Sequence, residues 1–152
     1  MKTVLIVEDE KMIRQGIKTM IMRSGVPIET IMECNNGETA LEILKEQEID
    51  VMFTDIRMPK MDGIELVQKM QSLEHIPLTV AISGYDDFAY AVEMLRNGVR
   101  EYILKPINSN ELREVFERIK VNLDKELDEK RNIDKLREYY MESLPVLQEN
   151  FY

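Results

Sequence analysis

Four short apolar stretches of this chain end in side chains that could act together. Val4–Val7 runs into Glu8-Asp9-Glu10, and Val51–Thr54 runs into Asp55. Leu78–Ile82 ends at Ser83-Gly84, and Tyr102–Leu104 ends at Lys105-Pro106. If one fold brings these ends to a common rim, three carboxylates, a hydroxyl and a lysine converge there. Carboxylates within a few ångströms cannot all stay ionised without a cation, because like charges raise one another's pKa. An all-oxygen donor set with few protein carboxylates and room for water suits Mg²⁺. Lysine can pair with a carboxylate and then with an incoming anion, and serine can donate to a phosphoryl oxygen. A carboxylate presented beside a divalent cation can act as a nucleophile and form an acyl phosphate. The set reads as a site that takes a phosphoryl group on Asp55. Pro59 and Gly63, in the stretch Ile56-Arg57-Met58-Pro59-Lys60-Met61-Asp62-Gly63, are expected to hold the following loop close to it.

The intervening sequence supplies the elements that must position those groups. Besides the four runs above, Ile28–Cys34 is strand-sized and rich in β-branched residues. Helical spacing links Met12, Ile13, Ile17, Met20 and Ile21; then Ala40, Leu41 and Leu44; then Ile64, Val67 and Met70; then Phe88, Val92 and Leu95. Asn108-Ser109-Asn110 predicts the cap of a last helix with Leu112, Val115, Phe116 and Ile119 on one face. Glu111 and Glu114 suit its positive end. Five strands alternating with five helices predict a parallel sheet covered on both faces, and continuous apolar runs suit strands buried from both sides. In such sheets the site lies outside the carboxyl ends of the strands, where the strand order reverses.

Composition narrows the classes. The 152 residues carry 20 Lys and Arg against 29 Asp and Glu, a formal charge of −9, which disfavours direct nucleic-acid contact by this piece. A single cysteine, Cys34, excludes a disulfide framework or a multi-thiolate metal site and reads as a small apolar residue. The single histidine, His75, reads as a loop residue, and the 11 methionines as helix packing. No apolar run approaches a membrane span, and Met1-Lys2-Thr3 leads into a strand with no signal peptide, so the expectation is a cytoplasmic protein with no membrane contact. From Asn122 on, the spacing of Leu123, Leu127, Ile133, Leu136, Tyr140 and Leu144 predicts that the last helix continues, interrupted at Lys130 and broken at Pro145. The span Ser109–Ser143 would be about 50 Å long as one helix, more than a small domain covers. Self-pairing of this segment into a homodimer is therefore expected, in a fragment cut from a longer protein.

Glu8-Asp9, Asp55 with Met58-Pro59 and Asp62-Gly63, Ser83-Gly84, and Tyr102-Ile103-Leu104-Lys105-Pro106 stand in an order that resembles the receiver domain of two-component response regulators. The resemblance covers residues 1–121 and leaves 122–152 as a helical linker. It implies a flavodoxin-like, CheY-like, doubly wound five-stranded sheet in the order 2-1-3-4-5, with an extended C-terminal helix. It implies a signalling switch, not a turnover enzyme, phosphorylated on Asp55 by a sensor histidine kinase. Mg²⁺ would sit on Asp9, Asp55 and the Arg57 carbonyl, with Glu8 reached through water; many relatives carry Asp at that position. Lys105 would contact the phosphoryl group, and the Lys105–Pro106 bond would be cis. Ser83 and Tyr102 would form a switch pair altering the face of the fourth helix, fifth strand and fifth helix. Arg57 and Tyr85 would stand beside the path of attacking water and slow hydrolysis. The stretch Ser83-Gly84-Tyr85-Asp86-Asp87-Phe88-Ala89-Tyr90-Ala91 and the tail with Leu144-Pro145 resemble regulators of the YesN type, in which an AraC-type DNA-binding domain follows.

Other readings compete. Alone, Asp9 reads as a cap for the helix near Met12, Ser83-Gly84 as an ordinary turn, and Tyr102 as a core aromatic. An aspartyl-phosphate hydrolase would carry a second acid two positions after the nucleophile, where this chain has Arg57. A phosphorylation-independent interaction module would be favoured if a site carboxylate or Lys105 were missing, and none is.

Overall fold

The computed structural model describes residues 2–84 and 87–120. Tyr85 and the tail over 122–152, with the expected extended helix and dimer contact, lie outside the described residues. Internal contacts divide the chain into two units, Met1–Val115 and Phe116–Tyr152; of the second, residues 116–120 are helical.

In the first unit β1 (Thr3–Val7), β2 (Thr30–Cys34), β3 (Val51–Asp55), β4 (Leu78–Ser83) and β5 (Glu101–Leu104) alternate with α1 (Lys11–Arg23), α2 (Gly37–Glu46), α3 (Gly63–Lys69) and α4 (Phe88–Arg96). A 3-10 turn over Met70–Ser72 ends α3, and α5 covers residues 109–120. The strands form one parallel sheet, as their apolar runs predict, in the order β2-β1-β3-β4-β5 that the resemblance implies. The order reverses between β1 and β3, which places the switch point between Glu8 and Asp55.

Right-handed crossovers then dictate the layers. The step from β1 to β2 runs opposite to those from β2 to β3, β3 to β4 and β4 to β5, so α1 falls on one face and α2, α3 and α4 on the other. Leu5, Val7, Met52 and Ala81 pack with Ala40, Leu44, Leu66, Val67, Ala91 and Met94 in the core beneath those three helices. The pleat turns Val4, Ile6, Val51, Phe53, Val80 and Ile82 the other way, where they are equally buried.

Two helical faces differ from the expectation. In α4 the buried stripe is Ala91 and Met94, whereas Phe88 is 76% exposed and Leu95 is 40% exposed. The small alanine lets the short helix lie close to the sheet, and that rotation turns the larger residues outward. In α1 the buried pair is Ile17 and Ile21, four apart, with Met12 left in solvent. The expected cap at the last helix is present, Asn108 accepting from Glu111 N at 2.7 Å, and Asn36, not singled out from sequence, accepts from Thr39 N at 2.8 Å to cap α2.

At the amino ends of the strands, opposite the acids, Asp50 ties three of them. Its Oδ2 accepts from Lys2 N and Thr3 N, both at 2.9 Å, while its own N–H donates to Thr3 O and its carbonyl accepts from Leu78 N, each at 3.0 Å. An Asp50→Ala variant loses two charge-assisted hydrogen bonds and is expected to be less stable by about 2 kcal/mol in urea denaturation; an unchanged midpoint would show that water replaces the carboxylate at no cost.

Candidate functional site

The carboxyl ends of β1 and β3 bring three acids together. Single carboxylate oxygens of Glu8, Asp9 and Asp55 all lie within 4.8 Å of one another. Glu8 and Asp55 are buried and Asp9 is exposed. The residue that opens α1 is Glu10, which makes no side-chain cap, so Asp9 is not the cap that its position alone suggested.

Backbone donors fix the two buried acids. Asp55 Oδ1 accepts from Ile56 N at 2.9 Å, and Glu8 Oε1 accepts from Glu10 N at 3.3 Å. The Glu8 N–H donates to Cys34 O at 3.1 Å, which locks the end of β1 to β2. Among the described residues Glu8 Oε2 has no hydrogen-bond partner. Its nearest cation is Lys105, whose Nζ stands 3.6 Å from it and 3.3 Å from Asp55 Oδ2. Lys105 reaches that position because its backbone N–H donates to Ser83 O at 2.9 Å, joining the ends of β4 and β5. The bond from Lys105 to Pro106 is cis.

One ammonium cannot neutralise this cluster. Burial, reinforced by the charge on Asp55, pushes the Glu8 carboxyl up to about 8. Burial likewise raises Asp55, although Lys105 opposes it. For Lys105, burial works against the charge, and the two carboxylates outweigh it and raise its pKa.

The loop after Asp55 is held by close backbone approach. Gly63 N donates to Ile56 O at 2.7 Å, and a Cβ on Gly63 would collide with the carbonyl of Asp55. Between them Lys60 has φ +67°, with Met61 N returning to Pro59 O at 2.8 Å. That left-handed turn is costly for a residue with a side chain.

The remaining residues singled out from sequence take other places. Ser83 is buried at the end of β4, beside the β5 residue Leu104 in register. Tyr102 lies opposite Ala81 and is 47% exposed, so it does not fill the core. Arg57 turns its side chain away from the acids: Nε stands 2.8 Å from Asp87 Oδ1, and the guanidinium lies 4.9 Å from the centre of the Tyr90 ring. His75 donates from Nε2 to Ile49 O at 3.1 Å, far in sequence from the acids and serving a loop. An apolar cavity of about 430 Å³ between α1 and the residues after β5 is lined by Ile13, Gly16, Ile17, Met20, Pro106 and Ile107, with Lys105 at its side. Its walls offer no second polar group, so it is not a place for an anion.

Two contributors were missed. Arg14 donates from Nη1 to Glu8 O at 2.9 Å and, with Lys18, pairs with Glu33 on β2 at 3.4 and 3.1 Å. Nothing in the sequence separates Arg14 from a solvated helix arginine. Asp87 was visible only as part of a motif.

The response regulator receiver domain model matches residues 4–117. An uncharacterised response regulatory protein of Vibrio cholerae is 33% identical over 80% of this chain and 46% of its own length. The transcriptional regulatory protein YesN of Bacillus subtilis is 30% identical over 83% of this chain and 34% of its length. HptR, a transcriptional regulatory protein of Staphylococcus aureus, is 29% identical over 98% of this chain and 59% of its length. The chain thus spans about half the length, or less, of the first two relatives. Among solved structures, the receiver domain of AraT, a response regulator from Geobacillus stearothermophilus, matches at 38% identity with a TM-score of 0.72, over 82% of this chain and 97% of that one. With the sheet order, the acidic rim at its switch point and these matches in agreement, the chain belongs to the response regulator receiver domain family.

Proposed function

We propose that Asp55 is the phosphoacceptor of a signalling switch and that its donor is a phosphohistidine on a sensor histidine kinase. The observation that carries this reading is a buried carboxylate held between a backbone N–H and a lysine, with two further acids within 4.8 Å. In the transfer an oxygen of Asp55 bonds to phosphorus as the bond to the donor imidazole nitrogen breaks, and that nitrogen keeps the electron pair. Lys105 is placed to pass from the Asp55 carboxylate to the phosphoryl oxygens, and Ser83 is the hydroxyl that follows onto them. Tyr102, exposed on β5, would answer on the face of α4, β5 and α5. A turnover enzyme on an outside substrate is not implied; the chemistry is gain and loss of one phosphoryl group.

The donor set fits Mg²⁺: all oxygen, anionic and partly unsatisfied, with Glu8 Oε2 lacking a hydrogen bond. Asp9, Asp55 and the Arg57 carbonyl would hold the ion, and Glu8 would reach it through water. When bound, the ion supplies charge neutralisation for the carboxylates and the transferring oxygens. The domain boundary at 121, pairing of residues 122–152 into a homodimer, a cytoplasmic location, and a following AraC-type DNA-binding domain in a longer protein belong to the same proposal. A longer protein that regulates transcription is supported by the similarity to YesN, a transcriptional regulatory protein of which this chain covers 34%.

Intact mass after incubation with a small acyl phosphate donor and Mg²⁺ tests the acceptor. One phosphoryl group is expected on the wild type and none on Asp55→Asn; no gain on a folded wild type would favour the phosphorylation-independent module. Sedimentation of the same samples checks assembly, which is expected to increase with phosphorylation.

The acids also make a pH signature. Because folding raises the Glu8 carboxyl from 4.5 to about 8, the metal-free folded protein retains a proton that the unfolded chain has lost. Stability is therefore expected to fall as pH rises from about 4.5 to 8. Mg²⁺ competes with that proton, so it should raise the urea midpoint more at pH 8 than at pH 5. A flat profile, or equal stabilisation at both pH values, would contradict the crowding of these acids.

A further inference from the structure

We propose that Arg14, braced by Glu33, is a positioning residue that holds the Glu8-Asp9-Glu10 turn in the shape that receives a divalent cation. The inference rests on the reading of the acids as a Mg²⁺ site and adds two residues which that reading does not use.

Three residues, Glu8, Asp9 and Glu10, separate the end of β1 at Val7 from the start of α1 at Lys11. Two of the clustered acids therefore ride on one tight connection. Carboxylate oxygens of Glu8, Asp9 and Asp55 stand within 4.8 Å of one another, and their mutual repulsion pushes that turn outward. What opposes it reaches Glu8 from both sides. Its N–H donates to Cys34 O at 3.1 Å, and its carbonyl accepts from Arg14 Nη1 at 2.9 Å. The Arg14 N–H in turn donates to Glu10 O at 2.9 Å, so one residue of α1 grips both ends of the turn.

The guanidinium is itself held in place. Arg14 Nε stands 3.4 Å from Glu33 Oε1, while Glu33 Oε2 takes Lys18 Nζ at 3.1 Å. Glu33 precedes Cys34 on β2, so the last two residues of that strand hold Glu8, one directly and one through Arg14. The planar fork of arginine serves a carbonyl and a carboxylate together, which the compact ammonium of a lysine does not. The charge of Arg14 faces Glu33, and the cation beside the Glu8 carboxylate is Lys105. Arg14 thus acts on the cluster through the backbone, not by neutralising it. A cation binds tightest where its ligands are gathered before it arrives, since none of the binding energy then goes into bringing the anions together.

Charge and positioning act on Mg²⁺ in opposite directions. Removing a nearby cation would by Coulomb's law alone strengthen Mg²⁺ binding, whereas removing the clamp weakens it. The test is a Mg²⁺ titration of the full chain, followed by the amide NMR shifts of Glu8, Asp9 and Ile56, on the wild type, Arg14→Met, Glu33→Gln and the double variant. Met keeps an unbranched stem and loses the donors. Arg14→Met is expected to weaken binding several-fold, and the double variant, in which the two lost charges cancel, to weaken it as much and no further. Glu33→Gln, which keeps an oxygen for Arg14 Nε, is expected to weaken it less. In metal-free Arg14→Met the Glu8 N–H is expected to exchange with solvent faster, while the ladder amides of Met52 and Phe53 keep their wild-type rates. Wild-type or tighter affinity in folded Arg14→Met and in the double overturns the proposal, as does exchange that rises uniformly, the mark of lost stability alone. If Arg14→Met does not fold, Glu33→Gln at high salt, where the lost charge is screened, decides: weaker binding supports the proposal and wild-type binding overturns it. A wild type whose amides do not respond to Mg²⁺ overturns the metal reading, and the proposal falls with it.

Discussion

Three carboxylates gathered where, among the described residues, one lysine answers them is the constraint on which the rest of this molecule depends. Ion pairs usually bring charges to balance; here the backbone forces an imbalance and burial enlarges it. Among the described residues no donor meets Glu8 Oε2, and burial with the charge on Asp55 raises its carboxyl. A fold optimised only for stability would have replaced one of these acids. Retaining them keeps a poorly satisfied anionic site at the sheet edge, to which a cation or a cationic partner adds stability on arrival.

Holding such a site together requires a frame stiffer than the repulsion within it. The frame is mostly backbone. The N–H of Glu8 is fixed to β2, that of Ile56 to the acceptor itself, and that of Lys105 to β4. Arg14 and Glu33 brace the same corner from α1 and β2. At the amino ends of the strands Asp50 gathers β1, β3 and β4 with its carboxylate and its own peptide groups.

The strands and the acids at their ends were legible because β1, β3 and β4 are continuous apolar runs that stop abruptly at polar residues, and that contrast survives without any partner; their order came from the resemblance of the motifs to the receiver family. The cap at Asn108 was legible for a similarly local reason. The face of α4 was not: periodicity weighs Phe88 and Leu95 above Ala91, whereas the sheet favours the residue that lets the helix come close. The partners of Arg57 were equally hidden, since Asp87 lies 30 positions away and its use as a receptor depends on two loops meeting. Tyr102 shows the other limit. A strand aromatic reads as core until the strand is known to lie at the sheet's edge, where alternate residues face solvent.

Gly63 has a mechanical consequence. With its Cα against the Asp55 carbonyl and no room for even a methyl group, the start of α3 and the tip of β3 share one rigid joint. Leu66 and Val67, the next turn of that helix, are wholly buried, so the joint cannot yield inward. A push on the acceptor strand is delivered to α3 as displacement of the whole element, without loss in a compliant hinge.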